Sequence, residues 1–207
     1  MKAVFTARRL VAGHYDQWRE AWEPAQWPRG TVKAYIMRDP GDPDQVTAIG
    51  LFDVSDHEAA RLRDALEESE KERHAAMAPH VEQTLVAGLF DVVYEMEGSA
   101  EGKQAIVPLT ERQIKPDSWE AYVAAAQGSM DEGDTPEGMA RFLALHDTSK
   151  QGHLIQFGIV KSDDIQAIRS RMSGGREKML EAIAPYVDSV GLDTTYELIE
   201  EVVPVTV

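Results

Sequence analysis

Two histidines, six positions apart, are the first candidates for chemistry in this chain. An imidazole changes its protonation state near neutral pH and is the side chain that most often takes a proton from a reacting group. His74 and His80 are therefore candidate catalytic bases. A charged run at residues 67–73 precedes them, so a merely solvated His74 is the alternative interpretation.

Three tryptophans and one arginine are candidates for binding a ligand. Trp18 and Trp22 recur at helical spacing, and Trp27 follows in a loop between two prolines. Indole rings stack on flat molecules, although a pair at helical spacing is also typical of core filling. Arg8 occupies a short strand candidate, where it would hold an anionic ligand or form a salt bridge.

Metal and haem chemistry have weaker candidates. His146 and His153 flank a turn, and histidine is a common axial ligand of haem, but strand ends beside a turn favour exposure. The sequence contains no cysteine and no His-x-His or His-Glu-x-x-His spacing. Nucleophile elbows, phosphate-binding loops and dinucleotide fingerprints are absent as well. We therefore expect no metal site and no cofactor.

Composition limits the partners. The 207 residues include 43% hydrophobic and 28% charged residues, as in ordinary globular proteins, and the net charge is −15. A chain this acidic repels phosphate backbones and anionic membrane surfaces, so we expect neither nucleic acid nor membrane as a partner. No run approaches the roughly 20 apolar residues of a membrane span, and the start lacks a signal-peptide core. These features predict a cytoplasmic protein.

The elements that position the candidates occur twice in the chain. Residues 76–81 match residues 182–187, and residues 5–10 match residues 109–114, in the same order and at nearly constant spacing. A small, polar segment at 97–103 separates the copies, as a linker would. Such self-similarity is typical of a tandem duplication. We place the two units at residues 1–97 and 103–207.

Each unit has the predicted order β-α-β-β-α-β. In the first copy the strands are expected near 4–10, 31–38, 46–54 and 92–94, with Trp18 and Trp22 on the first helix. In the second copy, Gly174 and Gly175 are expected to interrupt the second helix. This order is that of a ferredoxin-like α+β fold, which covers only one face of its sheet with helices. The second copy would cover the other face in a barrel-like core, and a homodimer would meet the same need.

Segments at 15–22, at 35–54 with its Asp/Pro turn and at 74–81 resemble the antibiotic-biosynthesis-monooxygenase-like domains of the dimeric α/β-barrel superfamily. The resemblance implies a pocket between sheet and helices that holds a flat aromatic molecule. Several members oxygenate phenols or quinols without metal or flavin, others bind or degrade haem, and many have no known activity. Leu180 and Tyr186 replace the two histidines in the second copy, so the site is expected in the first half.

The expected function is that of a cofactor-independent monooxygenase-like protein acting on a small aromatic compound. His74 or His80 would remove the proton of a phenol, and the electron-rich phenolate would react with dioxygen. A non-catalytic small-molecule binder or a structural dimerisation module is the alternative. A haem-binding or haem-degrading protein is the third interpretation.

Overall fold

The computed structural model describes residues 1–24, 27–56, 58–59, 71–131, 138–147 and 149–204, with the backbone alone at 129–131 and 169–176. Most of the predicted charged run, residues 67–70, therefore lies outside the described residues. None of the described helices is long and apolar enough to cross a membrane. In chain order the elements are β1 (Lys2–Leu10), α1 (Tyr15–Trp22), β2 (Thr31–Arg38), β3 (Gln45–Phe52), α2 (Lys71–Met77), a 3-10 turn (Ala78–His80), β4 (Val81–Glu97), β5 (Gln104–Ile114), α3 (Trp119–Asp131), β6 (Met139–His146), β7 (His153–Ser162), α4 (Ile165–Ile183), a second 3-10 turn (Ala184–Tyr186) and β8 (Val187–Val202).

The chain forms two compact units. Unit 1 comprises Met1–Asp91 and Ile199–Val207, and unit 2 comprises Val92–Leu198. The long strands β4 and β8 each begin in one unit and end in the other. The boundaries at 1–97 and 103–207 concern the repeat in the sequence, and they stay a prediction.

Unit 1 is a sheet with helices on one face. Its hydrogen-bonded strand order is β4-β1-β3-β2-β8, and β1 pairs with β3 in an antiparallel register that sets Thr6 opposite Ala48. Because side chains alternate along a strand, Ala3, Phe5 and Ala7 point to the opposite face, where all three are fully buried. The core beneath the helices consists of Leu10, Trp18, Trp22, Ala34, Ile36, Val46, Ala48 and Met77.

Unit 2 repeats this plan, with the strand order β8-β5-β7-β6-β4. β5 pairs with β7 in an antiparallel register that sets Thr110 opposite Gln156, at the positions of Thr6 and Ala48 in the first unit. The core beneath its helices consists of Ile114, Tyr122, Ala126, Ala144, Leu154 and Ile183.

One predicted detail is wrong. Gly174 and Gly175 do not interrupt a helix, since α4 runs continuously from Ile165 to Ile183. A helical glycine costs about 1 kcal/mol relative to alanine, which burial of Ile168 and Ile183 on the same helix can offset. The last strand of the first copy contains residues 92–94 as predicted and is longer, since β4 begins at Val81, directly after the 3-10 turn. Its first half pairs with β1 from Leu10 to Lys2, and this long-range pairing outweighs the weak local pattern.

Candidate functional site

A pocket in unit 1 lies between the helix-facing side of β1 and β3 and the helices α1 and α2. It encloses about 550 Å³ of space between atoms, part of which is open to solvent. Four predicted candidates, Arg8, Trp22, Trp27 and His74, are among its walls. The described lining consists of Val4, Thr6, Arg8, Trp22, Pro24, Trp27, Pro28, Ala48, Gly50, Phe52, Arg73, His74 and Met77.

The floor of the pocket is made by small residues on β3. Ala48 and Gly50 lie opposite Thr6 and Val4 of β1 in the antiparallel register. Neither has a side chain long enough to fill the space under the helices. A Cβ at Gly50 would lie 3.2 Å from the ring of Phe52, so the strand approaches that ring closely. The pocket therefore exists because β3 carries small side chains where helices pass over it.

Aromatic and proline side chains form the wall beyond the end of α1. Trp22 is its last residue, and the ring of Trp27 meets that of Trp22 edge-on, with 5.7 Å between centroids and 70° between planes. The guanidinium of Arg19 lies 5.2 Å from the Trp22 centroid. Trp18, one turn earlier, is 0% exposed and belongs to the core rather than to the described lining. The helical spacing thus places Trp18 in the core, while Trp22 contributes to both core and pocket.

Two guanidinium groups line the pocket. Nη1 of Arg8 donates a 3.0 Å hydrogen bond to Oγ1 of Thr6, and that hydroxyl donates at 3.3 Å to the carbonyl of Ala48. Nη1 of Arg73 donates a 2.6 Å hydrogen bond to the carbonyl of Trp22 at the end of α1. Sequence reasoning did not single out Arg73, because its charged surroundings are typical of a solvated helix face. Its position directly before His74 was the signal that was available.

His74 lies at the rim of the pocket. It is exposed and belongs to the last turn of α2, while Met77 on the same helix is buried in the core. Met77 packs into the core and holds α2 in place, whereas His74 also lines the pocket but remains exposed to solvent. An imidazole in this position can exchange protons with both a ligand and water.

His80 is not among the described residues that line the pocket. Its Nδ1 lies 3.2 Å from Nδ1 of His14, and the two ring centroids are 5.3 Å apart. Its carbonyl also accepts a 3.0 Å hydrogen bond from the backbone N–H of Val11. The structure therefore joins His80 to the segment that follows β1 and does not bring the two predicted bases into one site.

The equivalent place in unit 2 is filled by side chains. Gln156 stands where unit 1 has Ala48, and its Oε1 accepts hydrogen bonds from Nη1 of Arg112 at 2.7 Å and from the Tyr122 hydroxyl at 2.8 Å. Arg112, the counterpart of Arg8, is 2% exposed and also donates to Thr110 at 2.6 Å. Burial raises the pKa of Tyr122. Unit 2 thus keeps the arginine but satisfies it with its own polar side chains.

The expected exposure of His153 is wrong. The residue is 6% exposed and lies between two carboxylates, with Nε2 2.7 Å from Glu111 Oε1 and Nδ1 3.3 Å from Asp147 Oδ2. The hydrogen bond with Glu111, opposed by burial, raises the pKa of His153, and the same bond lowers the pKa of Glu111. Burial acts to raise the pKa of Asp147, but hydrogen bonds from Ser149 and His153 lower it. Both ring nitrogens are engaged, so His153 cannot ligate haem while this cluster is intact.

The remaining candidates are His146 and a possible metal site. The ring of His146 lies against that of Trp119, with 4.3 Å between centroids. Among the described residues, no group of three or more His, Cys, Asp or Glu side chains could hold a metal ion.

Comparison with known proteins identifies the fold. No protein-family model and no curated protein matches the chain. An anthrone oxidase-like protein is similar in structure, with a TM-score of 0.71 and 10% identity over 98% of this chain and 92% of that one. A proposed monooxygenase of Fusobacterium nucleatum has a TM-score of 0.70 and 12% identity over 95% of this chain and 90% of that one. The heme-degrading enzyme LmHde of Listeria monocytogenes has a TM-score of 0.52 and 9% identity over 95% and 99%.

These similarities confirm the expected fold. It is an α+β fold of the ferredoxin-like type, which the chain shares with these structures and with a Listeria monocytogenes ferredoxin fold protein described as related to antibiotic biosynthesis monooxygenases, at a TM-score of 0.52 and 10% identity. At such low identities the fold alone follows, and activity has to be argued from the site.

Proposed function

We propose that the chain oxidises a small aromatic compound with dioxygen in the pocket of unit 1, without a cofactor, and that His74 is the base. The observation that carries this proposal is the lining of the pocket, which combines the rings of Trp22 and Trp27 with an imidazole at the rim. Ligand pockets are typically apolar clefts with a few polar groups that orient the ligand.

The aromatic walls would hold the ring of the substrate. Trp22 and Trp27 meet edge-on and both line the pocket, so a planar molecule bound there would contact indole surface. Pro24, Pro28 and Phe52 add further apolar surface to the lining. An open cleft with such apolar walls suits a small planar compound.

His74 would start the reaction by taking the hydroxyl proton of the substrate. The resulting anion transfers one electron to dioxygen, and the radical pair combines at a ring carbon to form a peroxide anion, which the imidazolium protonates to a hydroperoxide. Where that carbon also carries hydrogen, the imidazole takes this hydrogen as a proton while the O–O bond breaks, which leaves a carbonyl. The imidazolium then gives the proton to the departing hydroxide to form water. One oxygen atom of dioxygen enters the product, the other leaves as water, and the substrate supplies all four electrons.

Haem binding is the second candidate, and the similarity to the heme-degrading enzyme LmHde is the observation that favours it. Haem needs an axial ligand, and the exposed His74 at the pocket rim is the histidine placed to supply one. An absorption spectrum of the protein with added haem tests this candidate. A Soret shift that is lost in His74→Ala would support haem over oxidation without a cofactor.

Oxygen uptake with a panel of phenols and quinols tests the oxidation. General base catalysis contributes about 10²–10⁴-fold, so His74→Ala should reduce the rate at least a hundredfold. His80→Ala is the matched control, since the same deletion outside the pocket should leave the rate unchanged. Label from ¹⁸O₂ should enter the product. Equal rates in wild type and His74→Ala, or a product without label, would overturn the proposal.

A further inference from the structure

We propose that His14 and His80 bind a divalent transition-metal ion such as Zn²⁺ or Ni²⁺, with water as the remaining ligands. The site is separate from the candidate active site, because neither histidine is among the described residues that line the pocket. The inference therefore goes beyond the proposed function and does not depend on it. The ion would connect the residue before α1 to the 3-10 turn after α2.

The two imidazoles approach each other through the same ring nitrogen. Nδ1 of His14 lies 3.2 Å from Nδ1 of His80, and the ring centroids are 5.3 Å apart. In such a contact one nitrogen donates and the other accepts, so a single proton lies between them. Two nitrogens bound at about 2.0–2.1 Å to a tetrahedral ion lie about 3.3–3.4 Å apart. With a small movement of the rings, an ion can replace this proton, which moves to Nε2 of the same ring or to water.

Backbone hydrogen bonds fix the segments that carry both histidines. The N–H of Val11 donates to the carbonyl of His80 at 3.0 Å, and the N–H of His14 donates to the carbonyl of Val11 at 2.9 Å. The Asp44 carboxylate accepts a 3.0 Å hydrogen bond from the N–H of Gly13, which has φ +77°. Both histidines are half-buried. Ligands positioned in advance in this way lose little conformational entropy when an ion binds.

The second unit repeats this backbone arrangement without the imidazoles. The N–H of Lys115 donates to the carbonyl of Tyr186 at 2.9 Å, and the N–H of Ser118 donates to the carbonyl of Lys115 at 3.2 Å. Ser118 and Tyr186 thus occupy the positions of His14 and His80. Because the same turn forms with serine and tyrosine, the fold itself does not require histidine at either position. Metal coordination accounts for the pair in unit 1.

The ligand type favours a transition-metal ion. Neutral imidazole suits Zn²⁺, Cu²⁺ and Ni²⁺, whereas Mg²⁺ and Ca²⁺ prefer oxygen ligands. Among the described residues, no group of three or more His, Cys, Asp or Glu side chains could hold a metal ion, so water has to complete the coordination shell. The sequence predicted no metal site because spacing motifs compare residues close together in the chain, whereas these two histidines are 66 positions apart.

Calorimetric titration of the untagged protein with zinc chloride and nickel chloride tests the inference, and magnesium chloride is the comparison. Wild type should bind one Zn²⁺ or Ni²⁺ ion per chain at least a hundredfold more tightly than Mg²⁺. His14→Ser and His80→Tyr introduce the residues that unit 2 has in the same backbone arrangement, so both variants should fold. Each should weaken Zn²⁺ binding at least tenfold, because one of the two protein ligands is lost.

His74→Ala is the matched control, since it removes an exposed histidine from α2, directly before the same 3-10 turn. Its Zn²⁺ affinity should equal that of wild type. Zn²⁺ should raise the melting temperature of wild type and His74→Ala but not of His14→Ser or His80→Tyr, because an ion bound only by the folded chain stabilises it. Melting curves without metal show whether each variant folds, and if His80→Tyr unfolds, His14→Ser decides the question.

A one-to-one Zn²⁺ complex that both pair variants lose and His74→Ala keeps would support the inference. Wild type that binds Zn²⁺ no more tightly than Mg²⁺ would overturn it. So would His14→Ser and His80→Tyr that bind Zn²⁺ as tightly as wild type, or an equal loss of affinity in His74→Ala, since the ion would then lie elsewhere. A chelator in the oxygen-uptake assays removes the metal, so the proposed function is tested separately.

Discussion

Residues of the candidate site could be predicted from the sequence where the residue type by itself indicates a chemical role. Arg8, Trp22, Trp27 and His74 were selected from type and spacing, and the structure sets all four around one pocket. His80 has the same type as His74, but the fold turns it towards His14. The different positions of His74 and His80 result from a contact between residues far apart in the sequence, which local spacing cannot predict.

The tryptophans allow a prediction that separates core from pocket. Trp18→Ala should destabilise the protein by about 3–5 kcal/mol, because it removes a fully buried ring and leaves a cavity. Trp27→Ala should cost much less stability, since Trp27 is half-buried, but should weaken aromatic binding about tenfold. Thermal melting and calorimetric titration of both variants measure the two effects. Greater loss of stability in Trp27→Ala than in Trp18→Ala would contradict these placements.

The cluster of Glu111, Asp147 and His153 predicts a pH window for stability. The pKa of His153 is raised from 6.5, so its contribution is complete below about 6.5 and is lost as the pH rises through the higher folded value. The pKa values of Glu111 and Asp147 are lowered from 4.5 and 3.8, so their contribution is present above these values and is lost as the pH falls. The cluster should therefore stabilise the fold most between about pH 4.5 and 6.5.

Glu111→Gln tests that window. The variant should melt several degrees below wild type at pH 5.5, since a hydrogen bond between charged groups contributes about 1.5–3 kcal/mol. The difference should shrink as the pH rises well above the pKa of His153. Exposed Glu120→Gln is the control and should show little pH-dependent difference. A Glu111→Gln penalty that stays constant from pH 5 to 9 would show that His153 is not charged in this cluster.

At the scale of elements, strands with clear turn signals were the most predictable. The structure confirms the predicted bounds of Thr31–Arg38, because the Asp/Pro/Gly turn that follows this β-rich segment marks its end in the sequence. β4 was underestimated because its pairing with β1 comes from far along the chain. The interruption predicted in α4 was wrong because burial of one helix face outweighs the low helix propensity of two glycines.

Two glycines in different surroundings allow a prediction of how replacement by alanine changes stability. Gly128 is exposed within α3, and a Cβ there would meet nothing within 4 Å, so Gly128→Ala should stabilise the protein by about 0.5–1 kcal/mol. Gly152 has φ +76°, and its Cβ would lie 2.5 Å from the Ile114 carbonyl oxygen, so Gly152→Ala should be destabilising. Melting temperatures should shift upwards by up to about 4 °C for the first and downwards for the second. The same sign of shift in both would contradict the structure.

At the scale of the whole molecule, the sequence predicts a tandem duplication in which the second copy lacks both histidines. What the sequence did not show is why the pocket floor of unit 1 has no equivalent in unit 2, which keeps Arg112. The pairing of β5 with β7 sets Gln156 opposite Thr110, where it accepts hydrogen bonds from Arg112 and Tyr122. The residues that neighbour an arginine across the sheet depend on strand register, which no local pattern specifies. Assembly into a homodimer stays a prediction.

The central claim is that unit 1 binds its ligand in a space that the corresponding glutamine fills in unit 2. The measurement that tests it most directly is a calorimetric titration of wild type and Ala48→Gln with 4-hydroxybenzoate. The new carboxamide should accept from Arg8 as Gln156 does from Arg112, so the variant should fold and melt like wild type yet bind at least tenfold more weakly. A folded Ala48→Gln that binds the ligand as tightly as wild type would place the ligand elsewhere and contradict the claim.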